Sequence, residues 1–286
     1  MFTLKSSLAD LRKEPVDPAM GYEKDPLQET QILFGEKIIV KEQKGPWLRV
    51  ECIEQRKYYQ TLWQGYEGWT KAAIDPAIPG LENLVVVVPW TNIQAQSEIP
   101  VSFGTLLSGQ KTEEGWVVNL PDGKGKMDST AVSVIENKIE HVLKRAEMFL
   151  GNPYLWGGRS GFRTDGYSLR TSVDCSGFVN LLYRSIGVSV PRDACDQFRV
   201  CEPVDVLQPG DLIFLAKQNK PEKIYHVILY AGGDMLYEST MLSGTVRKIS
   251  AQQRFGKLLV EITHQDIIGE DIIIFASFIK NNKICM

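Results

Sequence analysis

Long apolar runs are missing from this 286-residue chain. The longest, LVVVV at 84–88 and IIIFASFI at 272–279, fall far short of the ~20 residues that span a bilayer as a helix. They predict buried strands, and no transmembrane segment is expected. An excess of one charge is missing too. With 32 Lys and Arg against 35 Asp and Glu, the formal net charge is -3, which leaves no basic stripe for a phosphate backbone and argues against a nucleic-acid partner. The five cysteines, at 52, 175, 195, 201 and 285, are odd in number and show no CxxC spacing. That pattern opposes a disulfide framework and a zinc site, and fits a reducing compartment. The opening MFTLKSSLADLRKEPVDPAM has no apolar core and no small-residue cleavage site, so no secretory signal is read and a cytoplasmic location is expected. Histidine is scarce, with three in all, and no metal or cofactor is expected.

What is present falls into two textures. The length exceeds a usual single domain and suggests two or three units. Before residue 136, short apolar stretches such as TQILFGEKIIV, GPWLRVECI, KYYQTLW and GYEGWTKAA alternate with turn clusters, the pattern of many short strands. A weaker echo follows in IPVSFGTLL, EGWVVNL and DGKGKM, where Glu-Gly-Trp-Val-Val answers Gly-Pro-Trp-Leu-Arg-Val. Two tandem small β-barrels are predicted, at 20–76 and 77–135, after an N-terminal extension at 1–19. Their Gly-x-Trp turns and LFGE resemble bacterial SH3-like domains.

From 136 to 286 the pattern becomes α+β. Ile139, Val142, Leu143, Ala146 and Leu150 recur at helical spacing, with Gly151 and Pro153 as stops. A second helix is predicted over CSGFVNLLYRSIG, with Phe178, Leu181, Leu182 and Ile186 on one face and Gly187 at its end. The runs DLIFLA, HVILYAGG, MLYEST and DIIIFASFI predict an antiparallel sheet behind the helices.

Cys175 therefore stands at a helix N-terminus, where free backbone N–H groups favour a thiolate and can hold an oxyanion. Asp174, directly before it, repels a thiolate, so a capping role or contact with a substrate ammonium is the better reading. A thiolate site needs a base. His226 opens the strand HVILYAGG, and spacing alone leaves His141 and His264 open. Cys195 and Cys201 are read as buried structural residues.

In order along residues 140–279, YLWGG, DCSGF, PRDACDQ, LQPGDLIFL, HVILYAGG and MLYES resemble the NlpC family of bacterial cell-wall cysteine peptidases. The resemblance implies a papain-like α+β fold, with Cys175 as nucleophile and His226 as base. It also implies a third residue, usually His, on the next strand; Glu238 stands there. A carboxylate is chemically adequate, because it accepts the imidazole proton and fixes the tautomer. A second departure is the insertion FRTDGYSLRT at 162–171, read as a loop bordering the cleft.

With SH3-like modules attached, the whole chain is similar to the cytoplasmic branch that cleaves γ-D-glutamyl-diamino acid bonds in freed peptidoglycan stem peptides carrying an unblocked L-Ala. The resemblance implies that Asp174 helps hold the free amine, joined by Glu29 and Tyr66 of the first barrel. It further implies that Trp156 walls the pocket, that Ser176 borders the substrate, and that Arg192 receives the D-Glu α-carboxylate. Ala194 replaces a serine common in that branch. Two other functions stay open at this level: a muropeptide-binding scaffold with an impaired triad, and an acyltransferase on the same fold.

Overall fold

The structure, a computed structural model, describes residues 1–18, 24–77, 80–165, 169–280 and 283–284. Cys285 and the expected start of the first barrel at residue 20 lie outside them. The chain forms two compact units, one of Met1–Glu136 with Leu155–Val173, the other of Asn137–Tyr154 with Asp174–Met286.

The first unit is built of β-strands. One antiparallel sheet has the order Gln28–Leu33, Leu8–Arg12, Leu62–Thr70, Trp47–Tyr59, Lys37–Lys44, Phe2–Leu4, Ile74–Pro76. Leu4, Leu11, Ile32, Ile38, Val50, Cys52 and Tyr66 form its core. Residues 1–19, expected as an extension, thus supply two strands of this sheet. The reason is physical: strands of three and five residues carry too little alternation to announce themselves, yet Leu4, Leu8 and Leu11 are buried. A five-stranded sheet and a three-stranded one follow between Leu84 and Val134, over a core of Val86, Ile93, Val101, Trp116 and Val118. No sheet closes into a barrel among the described residues. The repeated Trp motif has a structural counterpart, since Trp47 pairs with Lys44 and Gly115 with Thr112 at two hairpin ends. Gly45 lies in the first of those turns at φ +56° and Gly115 closes the second at φ +129°, a region that disfavours side chains.

Segment 155–173 has no helix or long strand among its described residues and is fixed by buried polar contacts within this unit. Arg159 Nη2 lies 2.7 Å from Glu36 Oε1, with both side chains 1% exposed. Gln31 Oε1 accepts from the Arg159 amide and Ser160 Oγ, each at 3.0 Å, while its Nε2 donates to the Arg170 carbonyl at 2.7 Å. Gly161 packs where a Cβ would come within 2.2 Å of the Pro89 carbonyl oxygen, so only glycine fits. The expected insertion 162–171 belongs to this segment, with 166–168 outside the described residues.

The second unit begins with the helix Ile139–Ala146, followed by a 3-10 turn Glu147–Phe149. After segment 155–173 come the helices Cys175–Arg184 and Ala194–Val200. An antiparallel sheet runs in the order Glu202–Pro203, Asp271–Ser277, Leu212–Lys217, Lys220–Gly232, Met235–Thr240, Thr245–Ser250. Residues 212 to 216 are all fully buried; since side chains alternate, the sheet is covered on both faces. The helix Cys175–Arg184 packs against the strands Lys220–Gly232 and Met235–Thr240. This contact brings the cysteine to the histidine.

Candidate active site

The Asp174 carboxylate caps the helix: its Oδ1 accepts from the Gly177 amide at 2.6 Å, from extended backbone at φ -90°, ψ -175°. The cap fixes where the helix starts, and thereby places Cys175 at its first position. Asp174 is also paired. Arg192 sends Nη2 to Oδ2 at 2.7 Å and Nη1 to Oδ1 at 3.0 Å, and Nη1 also donates to Ser176 Oγ at 2.9 Å. The repulsion expected between Asp174 and a thiolate is offset by this guanidinium. Gln197 donates to the Ser176 carbonyl at 2.9 Å and Asn180 to that of Val190 at 2.8 Å, tying the loop around Arg192 to the same helix.

His226 is buried, 7% exposed. Its Nε2 lies 2.9 Å from Glu238 Oε2, which leaves Nδ1 as the nitrogen for Cys175. Burial works to lower its pKa, but the hydrogen bond and charge of Cys175, then those of Glu238, outweigh it and push the value up to about 9. The imidazolium is therefore the favoured form beside the sulfur, the arrangement that activates a cysteine nucleophile. Glu238 has no exposure at all. Burial works to raise its pKa, yet His226, Arg254 and Arg247 hold the carboxyl down at about 2. Arg247, opposite Glu238 on the neighbouring strand, donates to Oε1 from Nη2 at 2.5 Å and from Nε at 2.9 Å.

The other two histidines stand elsewhere. His264 Nδ1 accepts from the Phe275 amide at 3.1 Å, and His141 lies on the helix Ile139–Ala146. Cys195 and Cys201, read as buried, are half-buried: Cys195 lies in the first turn of a seven-residue helix, and Cys201 caps its end just before the exposed edge strand Glu202–Pro203. Burial and the Asp196 charge push the Cys195 thiol up to about 11.

Glu29, Tyr66 and Trp156 belong to the first unit. Two of them meet: the Tyr66 hydroxyl donates to Glu29 Oε2 at 2.6 Å. Lys13 stands 3.1 Å from Glu29 Oε1 and Lys57 3.6 Å from Oε2, and Lys57 lies 3.9 Å above the Tyr66 ring. Burial opposes ionisation of Glu29, but Tyr66 and these lysines hold its pKa below the usual value. Trp156 donates from its indole to the Gln28 carbonyl at 3.2 Å and carries Lys24 Nζ 3.8 Å above its ring. Arg192, read as a receptor for a substrate carboxylate, is 1% exposed and has its fork engaged by Asp174; a buried cation requires such a partner.

Sequence reasoning missed three residues here. Arg247 and Arg254 sit in segments with no motif, and only the strand register and the short helix Ala251–Phe255 bring them to Glu238. Tyr154 lay inside the quoted YLWGG without being singled out; its phenol is pushed up by burial and by the charges of Asp174 and Cys175.

This cysteine on a helix start, hydrogen-bonded to a strand histidine backed by an acid, defines a cysteine peptidase site, and the chain belongs to the NlpC/P60 family, whose pattern matches residues 151–262. It is 32% identical over 241 residues to the gamma-D-glutamyl-L-lysine dipeptidyl-peptidase of Bacillus subtilis, an alignment covering 80% of this chain and 78% of that one. The Bacillus cereus protein of the same name is 32% identical over 233 residues, covering 73% and 66%. A crystal structure of an NlpC/P60 family protein from Bacillus cereus shares the fold, with a TM-score of 0.72 and 24% identity over 88% of this chain and 94% of the other. No helix among the described residues is long and apolar enough to cross a membrane.

Proposed function

We propose that the protein hydrolyses the γ-D-glutamyl–diamino acid bond of peptidoglycan-derived peptides that carry a free N-terminal L-Ala, releasing L-Ala-D-Glu. The observation that carries the proposal is the set Cys175, His226 and Glu238, joined within one unit through the 2.9 Å contact of His226 with Glu238. The names of the two Bacillus relatives support the bond class.

In this reading the Cys175 sulfur attacks the γ-carbonyl carbon of D-Glu, and the developing oxyanion lies toward the helix N-terminus. The imidazolium then gives its Nδ1 proton to the departing amine of the diamino acid, leaving a thioester. Neutral His226 next takes a proton from water, which attacks the thioester carbon and expels the sulfur. Glu238 keeps the ring oriented through both transfers. His226 serves as acid in the first half and base in the second.

The Glu29–Tyr66 hydrogen bond supports an amine-binding pair in the first unit. Arg192 is assigned to hold Asp174 rather than to receive a substrate carboxylate. A peptide with a free L-Ala has already left its glycan, so the proposed role is turnover of released wall peptides in the cytoplasm, with the first-unit sheets acting as SH3-like modules.

The test is mass-spectrometric cleavage of L-Ala-γ-D-Glu-L-Lys and its N-acetyl form by wild type and by Cys175→Ala. Cleavage of the free peptide alone, lost in the variant, is the expected result. Equal cleavage of both peptides would remove the amine requirement, and cleavage of neither would remove the substrate assignment.

A further inference from the structure

We infer that Arg247 and Arg254 are positioning residues that divide the charge of Glu238 with His226, so that a buried glutamate orients the imidazole without locking it as an imidazolium. The inference rests on the cysteine peptidase reading of Cys175 and His226, and goes beyond it by giving two arginines a role.

The geometry separates the two carboxylate oxygens. Arg247 takes Oε1 with a fork of 2.5 and 2.9 Å, while His226 takes Oε2 at 2.9 Å. Arg254 Nε stands between them, 3.2 Å from Oε1 and 3.3 Å from Oε2. With Oε1 clamped, the plane of the carboxylate is set, and Oε2 has a single direction in which to meet the ring. The arginines come from two elements, the strand Thr245–Ser250 and the helix Ala251–Phe255. The groups around the pair are then Cys175, His226, Arg247 and Arg254, with Tyr225 stacked on His226 and hydrogen-bonded to Asp271.

The chemistry explains why the clamp matters. A fully buried carboxylate with the imidazole as its only partner would bind the ring proton too firmly for a group that must give it to a leaving amine and later accept another from water. Two guanidiniums draw part of that charge away. They also repel the imidazolium directly, and both effects lower the pKa of His226 relative to an unclamped pair. The arginines thus supply what a neutral third residue would provide by having no charge.

Nuclear magnetic resonance of the 15N-histidine-labelled full chain tests this without substrate, because the chain has only three histidines to resolve. In Arg247→Gln the His226 midpoint is expected to rise by about half a unit or more, while Arg247→Lys, which keeps the charge, stays near wild type. Steady-state turnover of the glutamyl peptide is expected to fall about tenfold in Arg247→Gln, in kcat rather than KM. Arg254→Gln, altering a residue on the short outer helix, gives a second reading of the same midpoint should Arg247→Gln fail to fold. An unmoved midpoint in the glutamine variants would overturn the inference, and so would a fall, which would mean that Glu238 had itself taken up the proton. Absence of turnover in wild type with the midpoint shifted as stated would leave the arginine role standing and remove only the substrate.

Discussion

Arg192 closes a fork on Asp174, one nitrogen to each carboxylate oxygen at 2.7 and 3.0 Å, with the side chains 1% and 11% exposed. The pair stands at the cap that sets the position of Cys175. Removing one partner leaves a buried charge alone, so Arg192→Ala is expected to lose about 3–5 kcal/mol of stability in urea unfolding. Arg192→Lys is expected to recover only part of it, because one ammonium cannot match two oxygens. A loss under about 1 kcal/mol would mean that water replaces the arginine.

The His226–Glu238 pair gives stability a defined pH window. Glu238 is held at about 2 against an ordinary 4.5, so its contribution is complete above 4.5 and is lost as pH falls toward 2. His226 is raised to about 9 from 6.5, so its contribution is complete below 6.5 and is lost as pH rises through 9. Both act in full between 4.5 and 6.5. The stability difference between wild type and Glu238→Gln, measured by urea unfolding across pH, is expected to peak there. A difference independent of pH would contradict the linkage.

The sequence made much of this site readable and left its supports hidden. Cys175 was legible because a helix start has its own signature, an Asx cap followed by an apolar face. Glu238 was legible only by its place after the strand of His226, and Arg247 and Arg254 were not, since charged residues on a short strand and a five-residue helix look like ordinary surface. Arg192 was legible as an arginine but not as a partner for Asp174: eighteen residues separate them, and no local pattern encodes that distance. The strands Phe2–Leu4 and Leu8–Arg12 escaped for the opposite reason, because their pairing partners lie up to about seventy positions away.

Glu36 and Arg159 invite a double substitution. Either Glu36→Leu or Arg159→Met alone is expected to cost about 3–5 kcal/mol by stranding the other charge in the interior. The combination Glu36→Leu with Arg159→Met is expected to cost less than the sum of its parts, which a double-mutant cycle in urea reads directly. Strict additivity would show that the two do not interact.

Amine selection is the fourth expectation. Tyr66→Phe removes the donor to Glu29 Oε2, and Glu29→Gln removes the charge. Both are expected to raise KM for the free peptide about tenfold, the scale of one lost charge-assisted hydrogen bond. Preference over the N-acetyl peptide should shrink with it. Unchanged selectivity in both variants would place amine recognition elsewhere.

Segment 155–173 lies in the chain between two parts of the peptidase unit, yet it packs with the β unit through Arg159 and Glu36. Recombination at residue 136 that exchanged the β half for an unrelated one would strand a guanidinium whose acid had been left behind. A viable exchange must carry that acid, or remove the arginine in the same event. The two halves are in this respect one heritable cassette, and lineages that shuffle them are expected to change positions 36 and 159 together.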